Sequence, residues 1–202
     1  FIMLELGTPM HAFDLDSLKN KKVVVREARD GEKFKTLDGK ERDLKSGDIL
    51  ITDGEEIIGL GGIMGGLDSE INENTKNVLI EGACFNEDNI RKTSKRLNLR
   101  SEASGRFEKG LDPNLCEISV NRMCHLAQAL NIGNVIDGHI DVYKNKVEEK
   151  VIELSKEKNN NLMGIELSTE EIASILQRLE IKCQINGDII SAKVPTFRRD
   201  IN

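Results

Sequence analysis

The sequence predicts an α+β chain of two units, on three observations. Short Val- and Ile-rich runs punctuated by Asp-Gly pairs fill its first part, the pattern of strands joined by tight turns. Behind Asn86, apolar residues recur at helical spacing. After Tyr143 the stretch KNKVEEK is polar and charged, and a different pattern starts near Val151. The 202 residues exceed the commonest single-domain size of about 100–150, so residues 1–146 and 151–202 are expected to fold as separate units.

Taken in order, Val23–Val25 read as a short buried strand. Thr36–Leu44 read as a hairpin turning at Asp38-Gly39, where two positive backbone angles favour Asp or Asn followed by Gly. A second hairpin, Ile49–Thr52 with Ile57–Leu60, turns at Asp53-Gly54, and Val78–Ile80 continue the strand pattern. Asn86 offers a side-chain cap for a helix over Asp88–Leu97, on which Arg91 and Lys95, and Lys92 and Arg96, lie four apart and make a cationic stripe. Asp112 is expected to cap a longer helix with Pro113 in its first position. Leu115, Ile118, Met123, Leu126, Ala127 and Leu130 would face inward there, and Gly133 would end it. In the second unit Ser168 and Glu171 form a capping box for a helix over Thr169–Glu180, with Ile172, Ile175, Leu176 and Leu179 on one face. Asn186-Gly187 turns a closing hairpin.

Composition removes several function classes. Hydrophobic residues make up 38% and charged residues 32%, as in globular proteins, and 3% aromatics with no Trp imply aliphatic cores. Lys and Arg total 29 against 35 Asp and Glu, a net charge of −6, which argues against a surface that grips nucleic acid everywhere. The window Arg91–Gly110 departs from this: seven cations face two carboxylates, a place for a phosphate backbone to dock. Cys84, Cys116, Cys124 and Cys183 form no CxxC pair and have no histidine at ligand spacing, so they read as reduced core thiols, with no metal site. No apolar run approaches the roughly 20 residues of a membrane span, and no signal pattern opens the chain, so a cytoplasmic protein is expected. The start at Phe1 inside an apolar run, and the end just after VPTFRRDI, predict a piece of something longer.

The motifs of common catalysts are missing: GGIMGG at 61–66 lacks the GK[ST] ending of a phosphate loop, and neither GxSxG nor HExxH occurs. The glycines of GGIMGG suit a tight turn as well as a ligand lying close to the backbone. In RSEASGRFEKG at 100–110, small residues are enclosed by cations and carboxylates, which suits a pocket wall better than a core. Arg100 and Arg106 can pair with Glu102 or Glu108, or face a nucleic acid. On the residues alone, His11 and Glu81 read as structural groups at least as readily as functional ones, and His125 and His139 read as structural.

Six segments break that balance: LELGTPMHAFDLD, LDGKERDL, GLGGIMGG, VLIEGACF, IRKTSKRLNLRSEASGRFEKGLDP and VPTFRRDI. In this order and spacing the chain resembles the β subunits of bacterial phenylalanyl-tRNA synthetases over nearly its whole length. The resemblance implies a B3/B4 editing module of β layers covered by helices over residues 1–146, and a truncated B5 module, a DNA-binding-like α+β fold, over 151–202. It implies hydrolysis of mischarged Tyr-tRNA(Phe) by a positioned water, without a metal or cofactor in this part. ATP and Mg2+ would serve the whole synthetase, a heterotetramer of two α and two β chains acting on tRNA(Phe) and away from any membrane. By the same resemblance His11 and Ser101 are the expected catalytic groups. Glu81 would read the tyrosine hydroxyl, Gly65 and Ala103 would leave room for the ring, and Arg91, Lys95, Arg100 and Arg106 are candidate tRNA contacts. Two alternatives remain at this point: a non-catalytic tRNA-binding scaffold of the β subunit, and a free-standing trans-editing deacylase.

Overall fold

The computed structural model describes residues 1–201. It divides into two compact units, Phe1–Asp141 and a second that begins at Val142. Both are α+β with antiparallel pairing between neighbouring strands.

The first unit opens with a short helix, α1 (Ile2–Leu6), stopped at Gly7, whose φ of 77° only glycine adopts without strain. Strand β1 (Met10–Asp14) follows, then β2 (Val24–Glu27), the hairpin β3 (Lys33–Lys35) and β4 (Glu41–Asp43), β5 (Ile49–Thr52), β6 (Ile57–Leu60), β7 (Met64–Gly65) and β8 (Val78–Gly82). A four-stranded sheet runs β2-β5-β6-β7, while β1 pairs with β8 alone. The second hairpin has the bounds that the sequence predicts. The expected buried strand at Val23–Val25 does not: β2 is a sheet edge, with Val24 39% and Val25 58% exposed. Three consecutive valines satisfy strand propensity on an edge as well as in a core. At the three predicted turns only Gly39, Gly54 and Gly187 take positive φ, and Asp38, Asp53 and Asn186 do not. The first two hairpins therefore close through longer loops, the first with Gly39 N–H donating to Thr36 O, whereas in the third Asn186 still pairs with Ile189 and the two turn residues are Gly187 and Asp188, one place beyond the expected pair.

Helix α2 (Glu87–Arg96) starts where Asn86 accepts from the amides of Asp88 and Asn89. Its inner face carries Ile90 into the main core, which also holds Phe13, Leu18, Leu44, Leu50, Leu60 and Phe107. Asp48, 3% exposed and just ahead of β5, pins α2 to the sheet side. It accepts from Thr93 Oγ1 (2.6 Å), from the Lys45 amide (2.8 Å) and from Arg96 Nη2. Helix α3 (Glu102–Phe107), which periodicity does not announce, is held by a capping box between Ser101 and Ser104 and by buried Phe107, whose ring meets Phe85 edge-on at 5.1 Å. Helix α4 (Leu115–Ala129) begins two residues beyond the expected start. Asp112 still caps the turn, accepting from the Asn114 amide, and Asn131 at φ 55° turns the chain before Gly133 is reached. Ile118 and Leu130 of its predicted inner face lie exposed; Ser119 and Val120 face inward instead. Helix α4 packs on β8 and α1, and Arg122 makes a two-toothed ion pair with Glu5 at 2.8 Å for each tooth.

The second unit contains β9 (Lys150–Ser155), α5 (Lys156–Met163), α6 (Thr169–Gln177), β10 (Lys182–Asn186) and β11 (Ile189–Val194), with strand order β10-β11-β9. The capping box at Ser168 and Glu171 forms as expected, and the helix ends three residues early, at Gln177. Ile172, Ile181, Ile190 and Val194 are buried, whereas Ile175 and Leu179 are exposed.

Candidate functional site

The register of β1 against β8 sets His11 opposite Glu81. In an antiparallel pair such residues project from the same face with Cβ atoms about 5 Å apart, so an imidazole and a carboxyl group share one small volume. The third member is Gly65 on β7. A Cβ built there would lie 2.6 Å from both Cε1 and Nε2 of His11, so the missing side chain lets the imidazole rest on the β7 backbone. Phe13, two residues along β1 and hence on the same side, braces the imidazole edge-on at 4.5 Å.

Burial sets the electrostatics. Glu81 Oε2 is sealed from solvent and has no hydrogen-bond partner. Desolvation pushes its carboxyl up from 4.5 to about 7. The same cause lowers His11, so its imidazole is neutral at neutral pH. Nearby Cys116 offers no nucleophile, because burial and then the charges of Cys84, Asp141, Asp112 and Glu81 hold its thiol protonated up to about 12. Thr8 Oγ1 and Ser119 Oγ are two further buried hydroxyl oxygens without partners, on segments flanking β1 and β8. Sequence reasoning did not single them out, and an isolated Thr or Ser gives no sequence signal of burial.

The remaining expected residues are placed differently. Ser101 Oγ donates to Ile63 O at 2.8 Å and accepts from the Ser104 amide at 3.1 Å. Its one proton is therefore committed to the GGIMGG loop, and in this state it ties the start of α3 to that loop rather than offering a donor to a substrate. Ala103 packs against the main core from α3. In this state the His11 imidazole rests where a side chain at Gly65 would lie. The other glycines of the motif serve packing: Cβ atoms at Gly61 and Gly66 would come within 2.9 Å of Phe85 and Phe34, and Gly62 turns at φ 67°. Arg100 and Arg106 are engaged with Glu108 (2.9 Å) and Glu102 (3.0 Å). Arg91 and Lys95 are exposed.

Ser101→Ala should remove a cap and a buried bond together, costing roughly 1–2 kcal/mol of stability in urea unfolding. Ser101→Thr, which keeps the hydroxyl, should restore most of it.

Among the described residues no group of His, Cys, Asp and Glu is set to hold a metal ion, and no helix is long and apolar enough to cross a membrane. What the cluster can do is bind a hydroxyl-bearing group through Glu81 and place a neutral imidazole beside it.

The chain belongs to the B3/4 domain family, whose model matches residues 1–132, and a tRNA synthetase B5 domain model matches residues 152–202. More narrowly, the chain is 50% identical over 202 residues, all of this chain and 26% of the relative, to the phenylalanine–tRNA ligase beta subunit of Clostridium acetobutylicum. It is 45% identical over 201 residues, 100% of this chain and 25% of the relative, to the beta subunit of the same name from Thermotoga maritima. The chain thus spans about a quarter of the length of these relatives. An N-terminal fragment of the phenylalanyl-tRNA synthetase beta subunit from Pyrococcus horikoshii aligns with a TM-score of 0.47 and 20% identity, over 100% of this chain and 59% of that one. That likeness is too loose to transfer any residue.

Proposed function

We infer that the first unit is an editing module that hydrolyses Tyr-tRNA(Phe), within a β subunit that joins an α subunit to charge tRNA(Phe) with phenylalanine. The observation that carries this reading is the buried, partnerless Oε2 of Glu81 across from a neutral His11. A hydrophobic synthetic pocket rejects an analogue that only adds a hydroxyl by roughly a hundredfold. A second site that bonds the added hydroxyl corrects the remainder. Glu81, once ionised, accepts the phenolic O–H; phenylalanine would leave that charge unsatisfied.

In the reaction, water adds to the ester carbonyl and the bond to the ribose 3′ oxygen breaks. Tyrosine is released, and a proton returns to the tRNA hydroxyl. His11 holds the water or the terminal ribose; Gly65 and Phe13 fix the imidazole, and Ser101 and Ala103 shape the wall through the GGIMGG loop. Residues 1–146 serve as the editing module and 151–202 as the B5 module. ATP and Mg2+ belong to the synthetic reaction of the assembled α and β chains in the cytoplasm.

The test compares single-turnover release of amino acid from Tyr-tRNA(Phe) and Phe-tRNA(Phe). Wild type should favour the tyrosyl ester, and His11→Ala should slow its hydrolysis by about 100-fold. Equal rates for the two wild-type substrates would remove the specificity claim.

A further inference from the structure

A second feature of the first unit lies away from the His11 and Glu81 cluster. The ends of α2 and α3 enclose a recess of about 460 Å³, lined among others by Arg91, Lys95, Asn98, Arg100, Glu108 and Lys109. Arg91 and Lys95 are one helical turn apart and reach the recess from α2. Asn98, at φ 47°, turns the chain so that Arg100 enters from the next side, and Lys109 closes the third from just beyond α3. Four cations thus face one carboxylate, and that carboxylate is occupied by Arg100 at 2.9 Å.

The inner face of α2 is separately anchored: Thr93 and Arg96 go to Asp48, so Arg96 does not neutralise or fill the recess. Arg91, Lys95 and Lys109 have no side-chain ion pair or hydrogen bond among the described residues. Arg106 is not among the lining residues; it is spent on Glu102. Like charges gathered around a concavity repel one another unless an anion joins them, and a chain with an overall charge of −6 has no general excess of cations to account for the cluster.

The geometry points to a docking recess for RNA backbone phosphates, gripped by Arg91, Lys95 and Lys109, with Arg100 steered by Glu108. The identity of the RNA as tRNA(Phe) rests on the editing reading above; the phosphate chemistry does not. Lys95 and Lys109 act as point charges on phosphate oxygens, and Arg91 can present its planar fork to two of them. Such contacts hold an RNA in register without reading its sequence.

The test measures binding of a tRNA(Phe) transcript to the full 202-residue chain by fluorescence anisotropy across a salt series. It uses wild type, Lys95→Gln, Lys109→Gln and the control Lys92→Gln, an exposed cation of α2 outside the recess. Each recess variant should flatten the slope of log K against log salt by roughly 0.7–0.9, one phosphate each. The control should leave the slope unchanged. Unaltered slopes in both recess variants, or an equal flattening by Lys92→Gln, would overturn the recess. Hydrolysis of tyrosine esterified to adenosine, which has no backbone phosphates, is followed separately with wild type. If that ester is left intact while the recess variants still flatten the slope, the editing reading falls and the phosphate recess stands.

Discussion

Glu81→Gln is expected to make the first unit more stable above neutral pH while stripping the site of its preference for tyrosine. The folded carboxyl sits near 7 against an ordinary 4.5, because burial penalises its charge. A carboxyl whose pKa is raised on folding binds its proton more tightly in the folded state. Stability is therefore complete below about pH 4.5, falls progressively between about 4.5 and 7, and stays reduced above that. The full penalty is about 3 kcal/mol, at 1.36 kcal/mol per pH unit of displacement. Wild type should thus lose several degrees of Tm between pH 5 and 8, and Glu81→Gln should abolish most of that loss. On the proposed editing function, the ratio of tyrosyl to phenylalanyl ester hydrolysis should climb as pH rises through about 7, where Glu81 becomes an anion able to accept the phenolic O–H. In the Gln variant this ratio should fall by roughly 10- to 100-fold, the worth of a charge-assisted hydrogen bond, and lose its pH dependence. A pH-independent Tm in wild type would contradict a sealed carboxyl, and an undiminished ratio in the variant would separate Glu81 from recognition.

Gly65→Ala should disable hydrolysis while leaving the fold in place. The new methyl carbon would meet His11 Cε1 and Nε2 at 2.6 Å, and Leu37 Cδ1 at an ordinary 3.4 Å. The backbone at Gly65 is not left-handed, so alanine is tolerated there, and the movable imidazole gives way. A displacement of about 1 Å in a positioning group can cost about 100-fold in rate, and that is the expected drop in single-turnover release from Tyr-tRNA(Phe). The stability cost of the crowding should stay near 1–3 kcal/mol, read by urea unfolding. Undiminished hydrolysis would show that the resting place of His11 on β7 has no part in the chemistry. Gly82→Ala offers a contrast. Its Cβ would strike Val120 Cγ2 at 2.6 Å and crowd the Cys116 carbonyl oxygen at 3.1 Å, so it should pry α4 from β8 and lower stability first.

What the sequence could and could not convey follows from the range of the forces involved. Hairpin β5/β6 was readable to the residue, since β-branched runs on both sides of Asp53-Gly54 specify it locally. The caps at Asn86 and Ser168 were readable for the same reason: a side chain bonding an amide two or three residues away is a local event. Helix α3 was not, because six residues containing Gly105 have weak intrinsic preference, and its support comes from Ser101 bonding Ile63 across the fold. The edge position of β2 depends on which strands pair, which no run of valines encodes. The site itself lies at the far end of this scale. His11 meets Glu81 only because β1 pairs with β8, and neither residue advertises the other. Family resemblance named both, while the structure added the brace from Phe13, the occupancy of Gly65 by the imidazole and the unpartnered hydroxyls of Thr8 and Ser119.

Asp48 has a mechanical consequence. Through Thr93 and Arg96 it bolts α2 to the loop that leads directly into β5, and β5 continues through β6 to β7, where the imidazole rests. A load applied sideways to the outer cations of α2 would travel along this girder rather than bend it. Helix and imidazole would then move as one piece, so that a pull on the outer face of α2 leaves the spacing between them unchanged.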